Sequence, residues 1–400
     1  MVHGICDDRV KHDSGYLHGG SDALLFYWFF ESRTDPATSP TLIYFQGGPG
    51  ASSMYSLTAG NGGPCVLDRV PIIGMVFVQY LCQCFVHRPT RFDRLQQRNN
   101  SEGFSRGGEN HALKSFFYKY PNYNRQVFFI GESYAGHYIP PLAQLTIAST
   151  PSIKLKGVIL GNALVNPKLQ YRSMPMMAFK SGTAPSVITE KEYRRMLDAV
   201  HTVLSEMQLC LDNRESEELC QKASDDIFKY LRDPIRDKDI DPYDLRLKCT
   251  EPAPGCEYTK NFDTYFNSRK VQDYLKVNKK WTLFDVQVFN SFLGDLPVDY
   301  SPDLSTVLDT GLRISVDIRG RTFDLNARFL SNSASARNVP FTMPSPDTIR
   351  LPLDNSALNK AFDDLKAPIQ KEDLQTLHFA NDEITATTPV GSISLTKDQC

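Results

Sequence analysis

Apolar residues come in short unbroken blocks along the first half of the chain. Leu24-Leu25-Phe26-Tyr27-Trp28-Phe29-Phe30 is one block, and Thr41-Leu42-Ile43-Tyr44-Phe45 is another. Blocks of this length, rich in aromatic and β-branched residues and bounded by turn formers, predict buried strands. Pro36 and Pro40 separate the two, and Gly47-Gly48-Pro49-Gly50 ends the second. A helical pattern spans 110–120 and closes at Pro121. Gln126-Val127-Phe128-Phe129-Ile130 and Leu155-Lys156-Gly157-Val158-Ile159-Leu160-Gly161-Asn162 read as two further strands. Alternating strands and helices predict an α/β fold with a mostly parallel central sheet.

The texture changes near residue 180. Thr189 with Glu192 forms a capping box, and Tyr193, Met196, Leu197, Val200, Val203, Leu204 and Met207 then recur at helical spacing. Plain core packing accounts for that stripe. A second, charged helical stretch covers 216–232. The segment 181–260 therefore reads as a helical insertion over the carboxyl edge of a sheet whose first part is 1–180. The core pattern resumes over 261–328, with a helix at 269–277 and a helix and strand within 304–316. Residues 329–400 turn rich in Ser, Asp and Pro and carry no periodicity that places them. No internal repeat is visible.

Four hundred residues suffice for a large core, and a net charge of −2 gives no electrostatic case for nucleic acid or an anionic membrane surface. The apolar run from Pro71 to Val78 is too short to span a bilayer. The first eight residues have neither a basic n-region nor an apolar h-region, so no signal peptide is visible. Nine cysteines, at 6, 65, 82, 84, 210, 220, 249, 256 and 400, leave at least one unpaired within the chain. Cys210 with Cys220, and Cys249 with Cys256, are spaced for local disulfides, which need an oxidising compartment. Reduced thiols in a cytosolic protein fit the same count. Asn99-Asn100-Ser101 is a glycosylation sequon.

The chemistry concentrates in Gly131-Glu132-Ser133-Tyr134-Ala135-Gly136-His137. A β-rich run meets a tight Gly-x-Ser turn and a helix-capable segment, the layout that exposes a serine hydroxyl on a sharp strand-to-helix bend. Ser133 is the candidate nucleophile, since a serine attacks an acyl carbonyl once a base takes its proton. The main-chain amides of Tyr134 and Gly48 are candidate oxyanion donors.

Several ordered motifs resemble the serine carboxypeptidase family, an α/β-hydrolase branch. They are Asp13-Ser14-Gly15-Tyr16-Leu17, Phe26-Tyr27-Trp28-Phe29-Phe30-Glu31-Ser32-Arg33, Gln46-Gly47-Gly48-Pro49-Gly50-Ala51-Ser52-Ser53, and Gly131-Glu132-Ser133-Tyr134-Ala135-Gly136-His137-Tyr138-Ile139-Pro140. The strand at 155–162 follows at the family's distance, and Tyr243-Asp244-Leu245-Arg246 with Cys249 and Cys256 resembles the end of the family's insertion. The resemblance covers 1 to about 66, 108–172 and, more loosely, 243–316. It implies an α/β-hydrolase fold with a helical insertion and release of C-terminal residues from peptides through an acyl-serine intermediate. It implies peptide or protein substrates with a free C-terminus, no metal or organic cofactor, and a secretory, vacuolar/lysosomal or extracellular location. It also implies that Glu132, Gln46 and Gly47 bind the substrate's terminal carboxylate. A carboxyl group meets a carboxylate only when a proton is shared between them, which favours acidic pH.

The chain departs from the family pattern in three places. Gly60 or Asn61 stands where a second glutamate is usual, and 66–107 lacks the family's pocket-lining motifs, keeping only a strand candidate at 76–84. In the register of the family's triad aspartate stands Thr322, with Asp324 and Asp317 nearby. The C-terminal histidine motif is absent, and His378 is the one histidine beyond residue 201. Asp324 and His378 are the candidates for acid and base. These departures fit a homologue that has lost part of its catalytic set, or a deduced sequence that crosses misplaced exon boundaries. Two other functions share the elbow: a peptide-binding homologue without activity, and an esterase or acyltransferase.

Overall fold

The computed structural model describes residues 5–6, 11–19, 24–33, 35–58, 83–88, 106–181, 184–240, 243, 245–246, 248, 260–318, 321–324, 349–350, 376–380, 383–388 and 391–396, with backbone alone for 57–58, 83–88, 106–108, 260–261 and all residues from 317 on. Nine strands form one sheet in the order β1-β2-β4-β3-β5-β6-β7-β8-β9. They are β1 (His12–His18), β2 (Leu24–Phe30), β3 (Thr41–Phe45), β4 (Gln83–Arg88), β5 (Val127–Glu132), β6 (Leu155–Gly161), β7 (Arg313–Ile318), β8 (Arg321–Asp324) and β9 (Ile349–Arg350). The inner strands β4, β3, β5, β6 and β7 pair in parallel. The β1–β2, β2–β4 and β7–β8 pairs are antiparallel. Strands β10 (Thr376–Ala380), β11 (Glu383–Thr388) and β12 (Gly391–Thr396) form a separate antiparallel sheet.

The aromatic block in β2 is continuous because both faces of the sheet are covered. Its side chains alternate, as strand geometry requires. Tyr27 and Phe29 enter the larger core cluster, while Phe26, Trp28 and Phe30 enter a second one. The larger cluster takes Ile43 and Phe45 from β3, Val127 and Phe129 from β5, and Leu142 and Ala143 from the helix after the elbow. The second is closed by Phe262 and Phe266 of α9 (Lys260–Phe266) and Val271 and Leu275 of α10 (Arg269–Leu275).

The other helices are α1 (Ser53–Thr58), α2 (Arg106–Lys119), α3 (Ala135–Ser149), α4 (Pro167–Arg172), α5 (Met174–Lys180), α6 (Glu190–Asp212), α7 (Glu217–Asp226), α8 (Asp233–Arg236), α11 (Val286–Ser291) and α12 (Ser301–Asp309). Helix α6 starts as its sequence predicts: Thr189 caps it, and both halves of the capping box with Glu192 are formed. Met196, Val200, Val203, Met207 and Cys210 are its buried stripe, whereas Leu197 faces outward. Val200, Val203 and Met207 join the larger core cluster, so packing explains the periodicity.

The stretch 216–232 differs from one continuous helix. Helix α7 passes at Ile227–Arg232 into a π-helical turn and then into α8. Near the strand candidate at 76–84, the described strand is β4, from Gln83, and residues 76–82 lie outside the described set.

Helix α2 buries Glu109 at 5% exposure, and its Oε1 has no partner among the described residues. Burial pushes this carboxyl well above its ordinary value. A raised folded-state pKa means full stability below the unfolded value, and loss of about 1.4 kcal/mol per pH unit as pH rises from there toward the folded value. Glu109→Gln is therefore expected to melt above the parent at pH 7, with the gap closing near pH 4. An equal difference at both pH values, read by thermal unfolding, would contradict the assignment.

Candidate active site

Strand β5 ends at Glu132 and α3 begins at Ala135, with Ser133 at the bend. Ser133 holds φ at +58°, a left-handed conformation that costs energy for a residue with a side chain. The surroundings hold it there. Its N–H donates to Gly161 O at 3.2 Å, and its C=O accepts from Leu164 N at 2.8 Å and Gly136 N at 3.1 Å. Gly131 permits the tight fit beneath, since a Cβ there would lie 2.6 Å from both Ala135 Cβ and Phe45 O.

The glycine-rich turn after β3 lies directly against this elbow. A Cβ on Gly47 would stand 2.3 Å from Tyr134 N, 2.8 Å from Glu132 O and 2.8 Å from Ser133 Cβ. Only a residue without a side chain brings the turn that close. Gly48 follows at φ +113°. The turn is anchored from behind: Ala51 N donates to Gly47 O at 3.2 Å, Ser52 N to Leu283 O at 2.9 Å, and Asp285 N to Gly50 O at 3.0 Å. Trp281 Nε1 adds a bond to Ser52 Oγ at 3.1 Å. The structure thus seats Gly47 against Ser133 and Tyr134, with Gly48 the next residue of the same turn.

Beside the serine, Gln46 Nε2 donates to Glu132 Oε1 at 2.9 Å. Two hydroxyls face the other end of that amide. Tyr44 reaches Gln46 Oε1 at 3.0 Å and Ser56 Oγ at 2.9 Å, and Ser56 Oγ also bonds Gln46 Oε1. With its oxygen taken, the amide turns its NH₂ toward Glu132. Burial, and next the charge of Glu132, push the Tyr44 phenol well above its ordinary value, which keeps it a donor. Sequence reasoning missed Tyr44 and Ser56. The spacing of Tyr44 and Gln46 by two residues, which puts both on one strand face, was the available signal. The position of the family's second glutamate lies outside the described residues.

A buried polar cluster sits behind Tyr134. The Tyr134 phenol and His137 Nδ1 meet Asp295 Oδ2 at 2.7 and 3.0 Å. Tyr300 donates to Asp295 Oδ1 at 2.9 Å, and Arg214 Nη2 lies 3.8 Å from the same oxygen. Burial would raise the Asp295 carboxyl, but the donors from His137, Tyr134 and Tyr300 outweigh it and hold the group below its ordinary value. No local signal marks Asp295, because its partners on α3 and at its N-cap lie 158 and 161 residues away.

The acid and base candidates are placed by backbone alone. Asp324 pairs with Ser315, which is level with Ile159 and Ile130 in the middle of the sheet. Thr322 pairs with Asp317, which is level with Gly161 and Glu132 at the carboxyl edge. His378 pairs with Thr385 in the three-stranded sheet, which shares no strand pairing with the elbow's sheet among the described residues. Cys210 and Cys220 form a disulfide, and Cys6 is also disulfide-bonded. Cys249 and Cys256 lie outside the described residues. Among those residues no group of His, Cys, Asp and Glu could hold a metal, and no helix is long and apolar enough to cross a membrane.

The family model described as serine carboxypeptidase matches residues 5–71 and 97–348. This chain belongs to the serine carboxypeptidase family. The unmatched residues 72–96 fall inside the divergent stretch noted in the sequence. Carboxypeptidase Y homolog A of Podospora anserina is 34% identical over 278 residues, covering 68% of this chain and 50% of its own length. Carboxypeptidase Y of Komagataella phaffii is 31% identical over 349 residues, covering 84% of this chain and 65% of its own. The chain thus spans half to two thirds of these relatives. A prohormone-processing carboxypeptidase from Saccharomyces cerevisiae shares the fold at a TM-score of 0.60 and 18% identity, over 78% of this chain and 74% of that one. The fold of this family member is the α/β-hydrolase type that its motifs predict.

Proposed function

We propose that this chain is a serine-type carboxypeptidase that releases C-terminal residues from peptides through an acyl-serine intermediate. The observation that carries the reading is the seating of Ser133 against the Gly47–Gly48 turn, with Glu132 and Gln46 alongside. Ser133 Oγ attacks the last peptide carbonyl, and the N–H groups of Gly48 and Tyr134 receive the oxyanion. Glu132, oriented by Gln46, and Gly47 hold the terminal carboxylate. His378 is the candidate base that takes the Ser133 proton and returns it to the leaving amine, and Asp324, or alternatively Asp317, is the candidate carboxylate that orients its imidazole. A C-terminal residue then leaves with its amine protonated, and water frees the acyl serine.

Secretory-pathway, vacuolar or extracellular residence belongs to the same reading. The Cys210–Cys220 disulfide supports it, because such bonds persist in oxidising compartments.

One observation favours a second reading, a homologue that binds peptide termini without cleaving them. Thr322 rather than an acid stands at the carboxyl edge in the family's aspartate register, and Asp324 is level with mid-sheet residues. A blocked dipeptide with a free C-terminus, compared at acidic pH with its C-terminal amide, separates the readings. Carboxypeptidase action predicts residue release from the acid at a rate at least about tenfold above the amide, because Glu132 and Gln46 recognise only the former. Selective binding of the acid without release would favour the second reading. Cleavage of esters alone would favour an esterase or acyltransferase.

A further inference from the structure

The strained Ser133 backbone and the oxyanion donor beside it need support from outside the strand–helix junction. Tyr134 is where that support attaches. Its side chain is 2% exposed and stacks on His137 with ring centroids 4.3 Å apart. The edges of Tyr138 and Phe292 lie against it at 5.2 and 6.2 Å. A ring held this way cannot shift without moving its own main chain, because close-packed interiors transmit displacement. At the ring's polar end the phenol donates to Asp295 Oδ2 at 2.7 Å.

Asp295 closes a 3-10 turn, Leu293–Asp295, that is itself fixed from the opposite side. Ser224 Oγ of α7 bonds Leu293 O, and Gly294 packs beside Cys220, where a Cβ would stand 3.7 Å from the cysteine Cβ. Two donors from α3 and its N-cap converge on one carboxylate oxygen, and Tyr300 occupies the other. Hydrogen bonds to an ionised acceptor are stronger than neutral ones. The carboxylate therefore clasps the first turn of the helix that follows the nucleophile.

We infer that Asp295 is a positioning residue for the oxyanion donor: by holding the Tyr134 phenol and the His137 ring, it fixes the Tyr134 main-chain N–H at the elbow. The inference rests on the reading of Ser133 as an acyl nucleophile. Asp295 touches none of the reacting atoms and acts through Tyr134.

The test compares the parent with Asp295→Asn, Tyr134→Phe and the double variant. Asp295→Asn keeps size and an acceptor oxygen. Tyr134→Phe keeps the packing and removes only the hydroxyl, so it serves if Asp295→Asn fails to fold. Two readouts are needed: kcat and KM on a blocked dipeptide, and amide hydrogen exchange of peptides covering 131–137. Each single change is expected to lower kcat by about tenfold to a hundredfold with KM within about threefold, because only the transition state loses support. The double variant should be no worse than the poorer single, since both remove one link. Exchange at the elbow should quicken by about tenfold or more, while β3 and the part of β5 before Gly131 stay unchanged. Unchanged elbow exchange, or kcat losses that multiply in the double variant, would overturn the inference. A parent chain that turns over no peptide would defeat the functional reading alone. Faster elbow exchange in the variants would then still support the clasp, and unchanged exchange would still overturn it.

Discussion

Ser133→Ala is expected to lower kcat on a blocked dipeptide by about 10⁴-fold or more, with folding intact. The expectation comes from geometry. Ser133 stands at φ +58° between β5 and α3, and its main chain is held by bonds from Gly161, Leu164 and Gly136. Alanine keeps that backbone and removes only Oγ, so circular dichroism and thermal unfolding should match the parent. KM should change little, because Glu132, Gln46 and Gly47, the proposed carboxylate-binding groups, are untouched. A purified Ser133→Ala protein with undiminished peptide turnover would show that another residue attacks.

The second large effect is expected at Gly47. A methyl group there would meet Tyr134 N at 2.3 Å and Ser133 Cβ at 2.8 Å. Both neighbours belong to a restrained elbow, so the glycine turn must retreat and take Gly48 with it. Loss of one oxyanion donor typically costs about 10²–10³ in rate, and Gly47→Ala is expected to fall in that range. A control distinguishes this from a general intolerance of alanine. Gly15 lies on strand β1, and the nearest atoms a Cβ there would meet belong to the Tyr27 side chain, no nearer than 3.4 Å. Gly15→Ala should retain parental kcat. Equal losses in both variants, measured on folded protein, would mean that the Gly47 approach is not what matters.

Much of the scaffold was legible because local signals and tertiary demands agree. The aromatic block in β2 and the run in β3 read as strands and are strands, since each is buried on two faces. The Thr189–Glu192 capping box marks the start of α6 where it occurs. The elbow was legible for a chemical reason: a serine forced into the left-handed region needs small neighbours, and Gly131 and Ala135 supply them. The spacing of Cys210 and Cys220 allowed a local disulfide but fitted reduced thiols equally; the bond is present and joins α6 to α7.

What stayed hidden depends on distance along the chain. Asp295 is an ordinary turn residue until the fold carries it to Tyr134 and His137. The segment around Trp281, Leu283 and Asp285 gives no sign of bracing the glycine turn, because that contact bridges more than two hundred residues. The π-helical turn at Ile227–Arg232 has no propensity signature, and a continuous helical period passes through it. The acid and base candidates were visible only as isolated residues in stretches without family motifs. The sheet register now places Asp317 level with Glu132 and Asp324 level with Ile130. The aspartate comparison thus becomes specific: an acid on the carboxyl edge, against one in mid-sheet.

The central claim is that Ser133 is an activated nucleophile. The most direct measurement is covalent capture by diisopropyl fluorophosphate followed by peptide mapping in a mass spectrometer. The reagent phosphorylates a serine whose proton is taken by a base, with fluoride as the leaving group. One phosphoryl adduct on Ser133, absent from Ser133→Ala, is the predicted result. An unmodified Ser133 in folded protein, or an adduct on another residue, would contradict the account.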